Sequence, residues 1–539
     1  MTRSAAFGLL AAAFVSRAQD AVWTAHYDVF RTGANTSERI LTPANVTAGS
    51  FGLVGRLPVM GCVVAQPLYL PNVTIPDAGV HNVVYVTTTQ NLLYAFDADN
   101  FKLLFVRSFG NPISAYDLVI GKGYFVFPDC DGADDLGQVG ITGTPVIDLA
   151  GGAMYLVAAT SDDGDARTQR HILHKVSVQT GEDMSAPVEI AGTFPAGGGG
   201  TQFQTHYQLQ RSALLLANGR VYIAFASHND EMPYQGWLFA YDTNLTQIAV
   251  YNYSPKQSGS GIWQSGAGPA FGGVHIYVTT GNNAEGIVTA DDFADSILQL
   301  DAETLEVVAK TSFPNEANTW DYSSDIDLGS SRVIALPGLP YVVAGSKFGD
   351  VFVMDRADMH LVNRFQAAAR HSSEFDWTGV YNGFAVWGDT LFLWPGGGGA
   401  TTQDDTAYHT DTLKSFRIQP DGSAQWVASG QTDAVGLGYQ GAGLAISSNG
   451  DDPQSAIVWA ATPDGNGQWL RPGHLRAYAA ASAGIFQELW SDADLPDPAG
   501  ASHNWARFSQ PLIANGRVYL PTFSGAVLVF GLLAPGMSP

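Results

Sequence analysis

Three short stretches combine residue types able to bind a small organic molecule and act on it. His503-Asn504-Trp505-Ala506-Arg507 places an acid/base group, an amide, a stacking surface and a permanent cation within one short run. Trp263-Gln264-Ser265, set among glycines, joins a flat apolar face to an amide that both donates and accepts, which suits a planar ligand. Trp377, Trp387 and Trp394 precede Gly396-Gly397-Gly398-Gly399, an aromatic wall beside a loop. From these, His503, Arg507 and Gln264 are the catalytic candidates. The ligand-binding candidates are Gln66, Thr142, Arg211, Trp263, Trp377, Trp394, Tyr439, Gln440, Asn504, Trp505 and Gln510, with Thr144, Ser265 and Ser509 beside them. Each has a structural alternative: a tryptophan can seal the joint between two sheets, and residues 503–507 can form a solvent-facing loop.

Other chemistries find little support. There is no Cys/His zinc spacing and no Gly-x-Ser-x-Gly elbow. Gly197–Gly200 lacks the Lys-Ser/Thr ending of a phosphate loop. Asp129, Asp131, Asp134 and Asp135, and Asp162, Asp163 and Asp165, are oxygen-rich enough for Ca²⁺, but neither group has the spacing of a twelve-residue calcium loop. Solvated turns explain them, and no metal is expected. A formal net charge of −24, from 50 acidic against 26 basic residues, excludes nucleic acid and acidic membrane surfaces as partners. Cys62 and Cys130 either form one bridge or remain separate thiols.

The elements that must position these residues are short strands. Gln66-Pro67-Leu68-Tyr69-Leu70, Val83–Val86, Leu92–Asp97 and Leu103–Val106 form one unit of β-branched and aromatic runs bounded by turn residues. Seven further copies centre on Met154-Tyr155-Leu156, Val221-Tyr222-Ile223, Ile276-Tyr277-Val278, Tyr341-Val342-Val343, Leu391-Phe392-Leu393, Ile457-Val458-Trp459 and Val518-Tyr519-Leu520. Such a period means a solenoid or a propeller. The last copy stops one strand short, and residues 51–57 supply a strand that closes a ring by pairing the two ends. The expected fold is therefore an all-β propeller of eight four-stranded blades, with seven as the competing count. Its inner loops carry the polar candidates around a central funnel.

Residues 1–18 read as a cleaved signal peptide and 19–539 as a single propeller domain. The chain is expected in the secretory lumen or outside the cell, as a monomer, with N-glycan sequons at Asn35, Asn45, Asn72, Asn244 and Asn252.

On residues 27–36, 41–46, 65–69, 140–148, 221–228, 261–268 and 508–511, the chain resembles secreted PQQ-repeat-like propellers, relatives of the quinoprotein alcohol dehydrogenases. The family's Ala-x-Asp-x-x-Thr-Gly-x-x-x-Trp motif persists as fragments. Ala95 and Asp97 match, while Asn100, Phe101 and Phe105 replace the Thr, Gly and Trp. Thr180-Gly181, Asp301 with Thr304, and Gly422 with Trp426 survive elsewhere. The resemblance implies a PQQ and Ca²⁺ site with a Trp floor, an Asp base and a ring of adjacent cysteines, which this chain lacks. The expected function is accordingly a propeller that binds a small, partly hydrophobic molecule in its funnel. Its main form is a cofactor-free enzyme guiding ring formation, of hetero-Diels–Alder type. The alternatives are a PQQ/Ca²⁺ alcohol or sugar dehydrogenase and a non-catalytic ligand- or glycan-binding propeller.

Overall fold

The computed structural model describes residues 21–114, 130, 137–195, 199–228, 232–282, 293–313, 328–368, 379–396, 411–430, 441–463, 470–495 and 502–534. The leader at 1–18, Trp377, Tyr439, Gln440, Gly397–Gly399 and Asp129, Asp131, Asp134 and Asp135 lie outside them.

The eight sequence copies are eight antiparallel blades. Their innermost strands are Leu68–Ile75, Val146–Asp148, Leu215–Ala217, Ala270–Phe271, Val333–Ala335, Ala385–Trp387, Gly443–Ser447 and Leu512–Ala514, numbered blades 1 to 8. The second strands, such as Ala153–Thr160, are continuous apolar runs because neighbouring blades cover both of their faces. The outermost strands, such as Leu103–Ser108, are partly exposed. Asn218-Gly219 and Asn515-Gly516 join inner to second strands in blades 3 and 8. Both residues of each pair take positive φ, as a two-residue hairpin matched to the twist of its strands requires. Seven apolar clusters fill the joints between blades, one of them spanning blades 7, 8 and 1.

Blade 8 closes the ring with both ends of the chain. Phe51–Pro58 pairs antiparallel with Ala526–Leu532, from Phe51 opposite Leu532 to Pro58 opposite Ala526. The count is eight rather than seven, since blades 5 and 6 each complete four strands.

The degraded repeat motif keeps its mechanics. Asp97, Asp242, Asp301 and Asp355 end third strands and accept the amides of the following turn. Where the motif wants glycine, Phe101, Leu305 and Met359 sit at φ between 62° and 66°, and Leu245, one position earlier in its shorter turn, sits at 67°. Leu245, Leu305 and Met359 are buried there. The strained backbone costs on the order of 1–3 kcal/mol, and burial of a large side chain offsets about that much.

One element had no sequence expectation. Residues 22–37 run once round the inner rim as a strap that bonds to every blade. Val22 pairs with Tyr69, Trp23 O accepts Ile147 N, Arg31 Nη2 donates to Leu214 O, and Val29 O accepts Phe271 N. Phe30 O then accepts Ala335 N, Thr32 O accepts Val386 N, Gly33 O accepts Ile446 N, and Asn35 Nδ2 donates to Ile513 O. These carbonyls and amides belong to the inner edges of the sheets, which are otherwise unpaired.

Cys62 and Cys130 form a disulfide beside an apolar cluster drawn from blades 1, 2, 3 and 8 on the axial face. The bridge closes a loop across a sequence separation of 68. Replacing both cysteines by serine is expected to lower unfolding stability by about 4 kcal/mol, from the loop-closure entropy restored to the unfolded chain. Denaturant titration of the double variant measures it.

Candidate axial site

Most inner-loop candidates converge on the axis, where many form a hydrogen-bond belt from blade to blade. Gln66 N donates to Thr144 Oγ1, Thr142 Oγ1 to Gln210 O (2.7 Å), Ser212 Oγ to Ile262 O, and Ser509 Oγ to Val64 O (2.9 Å). Ser265 Oγ reaches both Ser330 O and Tyr381 O, linking blade 4 to blades 5 and 6. Short polar side chains recur at these positions because each loop leaves carbonyls that no strand pairs. Thr142, Thr144, Ser265 and Ser509 thus hold the ring together.

Arg211 serves several blades at once. Its Nη1 donates to Thr142 O, and its Nη2 to Val64 O (3.1 Å) and Phe508 O (2.8 Å). Gly266 leaves room for it, since a Cβ there would stand 1.9 Å from Arg211 Nη1. Burial lowers its pKa to about 10, still charged at any physiological pH.

Above Arg211, two aromatic rings meet across the axis. Trp263 enters blade 4 and Phe508 enters blade 8, on opposite sides of the ring, and their centroids lie 4.9 Å apart, edge to face. Both are only partly buried, unlike the belt around them. The backbone here is strained: Gln264 (φ 51°), Ser265 (φ 47°) and Phe508 (φ 57°) are non-glycine residues in the left-handed region. Such strain gathers at functional sites. Phe508 was not among the expected site residues: it stands four residues before its inner strand, whereas Trp263 stands seven before its own, so no shared spacing marks it.

Several expected site residues take other roles. Trp394 is buried, its indole N–H donating to Asp411 O (2.9 Å) and its ring against Tyr478 of the next blade. Trp505 packs between blades 7 and 8, donates to Ala461 O and lies under the Arg471 guanidinium. Both are joints rather than ligand surfaces, because a flat ring fills the wedge between two twisted sheets. His503 is buried against Gly473, where a Cβ would come 2.8 Å from its Nε2. Gln264 is fully buried, with Nε2 near Gly268 O and Oε1 unpartnered, so it supports the floor rather than presenting its amide at the surface. Gln510 and Arg507 are buried at the blade 8 entrance, and Asn504 is half-buried, its backbone N–H donating to Ser524 Oγ. Asp163 accepts from Ser161, Thr168 and the Asp165 amide, while Asp162 and Asp165 pair with Arg170 and Arg167. That turn is self-satisfied.

The strap brings His26, whose backbone N–H donates to Gln66 Oε1, while Arg332 Nη1 donates to its Nδ1. Burial, then Arg332, Arg31 and Arg211, hold His26 well below the ordinary histidine range. At the joint of blades 2 and 3, burial lowers His171 to about 4 and His228 to about 3. All three are neutral in the fold and take up protons first in the unfolded chain. Their stabilisation is complete above about pH 6.5 and is lost as pH falls, by about 1.4 kcal/mol per unit for each histidine. Asp28, whose pKa burial raises, opposes this in part. Thermal melts from pH 7 to pH 4 are expected to show a steady fall; a flat profile contradicts the assignment.

The arrangement defines a class: an eight-bladed propeller whose axis is filled from below by a strap and capped by an aromatic pair. In fold alone, the eight-bladed propeller is similar to solved quinoprotein alcohol and methanol dehydrogenases. The chain superposes on a quinohemoprotein alcohol dehydrogenase of Pseudomonas putida HK5 with a TM-score of 0.59 at 14% identity, covering 98% of this chain and 83% of that one. Against the quinohemoprotein alcohol dehydrogenase of Comamonas testosteroni the TM-score is 0.60 at 14% identity, covering 98% and 85%. Against a europium-containing methanol dehydrogenase it is 0.62 at 12% identity, covering 97% and 100%. No family model and no curated protein matches the sequence.

The calcium and quinone that this likeness suggests need carboxylate oxygens near Trp263. Among the described residues, two carboxylates lie in this region: Asp28 is committed to Thr32, and the buried Asp295, bonded through Gly281 to the Gly261 end of the Trp263 loop, accepts from Leu328 N. No three Asp, Glu, His or Cys gather among the described residues to hold an ion.

Proposed function

We propose that the chain binds a small, partly hydrophobic organic molecule over the Trp263–Phe508 pair and guides its ring closure by orientation. The partly exposed aromatic pair, from opposite blades and beside a buried cation, carries this reading. The rings offer a rigid apolar face for a conjugated system. The Arg211 field favours an oxygen that gains negative charge as bonds form. A cycloaddition converts two π bonds into two σ bonds and exchanges no proton or electron with the protein, so holding the partners in a reactive pose is the whole task. The test is the rate at which polyene and quinone-methide pairs combine with and without the protein. Acceleration with one stereoisomer favoured supports the reading, and the background rate overturns it.

The dehydrogenase fold favours a second reading, oxidation of an alcohol or sugar with PQQ and Ca²⁺. Reconstitution that gives quinone absorbance and dye reduction supports it, and a flat titration removes it.

Secretion as a glycosylated monomer belongs to the same proposal. Asn72 and Asn244 are exposed and accept glycans readily, whereas the Nδ2 groups of Asn35 and Asn252 are buried and donate to Ile513 O and Gln235 Oε1. No helix among the described residues is long and apolar enough to cross a membrane.

A further inference from the structure

A chain with 24 more acidic than basic charges buries three arginines at its centre. Arg31 and Arg332 are fully buried and Arg211 is 3% exposed. Arg31 comes from the strap, Arg211 from blade 3 and Arg332 from blade 5, and all three act electrostatically on His26. Their partners are almost entirely neutral. Arg31 donates to Pro269 O, Ala25 O, Leu214 O and Thr24 Oγ1, and Arg332 to Asn382 O and His26 Nδ1. Asp28 stands near Arg31, but its carboxyl is bound to Thr32. Among the described residues no carboxylate pairs with Arg211 or Arg332.

Carbonyl dipoles solvate a guanidinium only in part, and burying a charge without a counter-charge is unfavourable. Two donors beside His26 also go unused. Arg332 Nε and Gln66 Nε2 are buried without an acceptor, although each residue's other end is bonded to His26. They come from blades 5 and 1, on opposite sides of the ring, and both address the same histidine.

We propose that this hub binds a small inorganic monoanion of the halide class, received by Arg332 Nε and Gln66 Nε2 and held in the field of the three guanidiniums. Bound there, it locks the strap to the blades. Neutral His26 suits the site, because its Nδ1 accepts a hydrogen bond from Arg332 Nη1 and leaves Nε–H for the anion.

The test measures thermal midpoints of the full chain as sodium chloride replaces sodium gluconate at constant ionic strength, which separates binding from screening. The wild type is expected to gain about 3 °C or more between 1 and 100 mM chloride. Gln66→Glu keeps an acceptor for His26 N–H and places a built-in negative charge where the anion would sit. Its midpoint is expected to be independent of chloride. Arg332→Met is expected to lose the dependence too, and where it fails to fold, Gln66→Glu carries the test. Crystals soaked in bromide give an independent readout: an anomalous peak within hydrogen-bond reach of Arg332 Nε supports the site. Equal wild-type midpoints in the two salts, an unchanged chloride response in Gln66→Glu, or a bromide-soaked hub without a peak would overturn it.

Discussion

Deletion of residues 21–37 is expected to leave a chain that does not fold. The strap pairs with the inner edge of every blade, so its loss strands carbonyls and amides of Tyr69, Ile147, Phe271, Ala335, Val386, Ile446 and Ser448 in the centre of the ring. Each unsatisfied buried group costs about 1–3 kcal/mol, and the sum exceeds the 5–15 kcal/mol by which typical domains are stable. Arg31→Met makes the same point with one side chain. It removes the donors for Pro269 O, Ala25 O and Leu214 O and is expected to cost about 3–5 kcal/mol. Circular dichroism and thermal melts measure both. A deletion variant with a cooperative transition near the wild-type midpoint would show that the blades close without the strap.

The second large effect concerns the aromatic pair. Trp263→Ala is expected to lower kcat/KM for the ring-closing reaction about 100-fold while the fold persists, since the ring is partly exposed and makes no blade joint. Trp505→Ala should behave in the opposite way. Its buried indole seals blades 7 and 8, so truncation is expected to cost about 3–5 kcal/mol of stability and leave the kinetics of the folded fraction unchanged. Steady-state kinetics beside denaturant titrations separate the two. Equal activity in Trp263→Ala and the wild type removes the pair from the site.

The propeller was legible because its signals are local. Runs such as Val83–Val86 are apolar throughout, as strands buried on both faces must be, and the missing strand of the last copy matched residues 51–57. The site was legible only in part. A short polar side chain in an inner loop reads the same whether it binds a ligand or a neighbouring carbonyl, and Thr142, Ser265 and Ser509 do the latter. Trp263, Trp394 and Trp505 likewise look alike in sequence. What separates them is which partner blade each ring meets, a property of the closed ring. The strap stayed hidden for a different reason. His26 and Arg31 belong to a segment with no strand period, and their roles depend on blades up to several hundred residues away.

The most direct test of the central claim is a native mass spectrum of the protein as isolated, wild type beside Trp263→Ala. The account expects the wild type to retain an organic molecule that is lost on substitution of Trp263 and is neither PQQ nor a sugar. A bound species of PQQ mass, or a molecule held equally by both proteins, would contradict it.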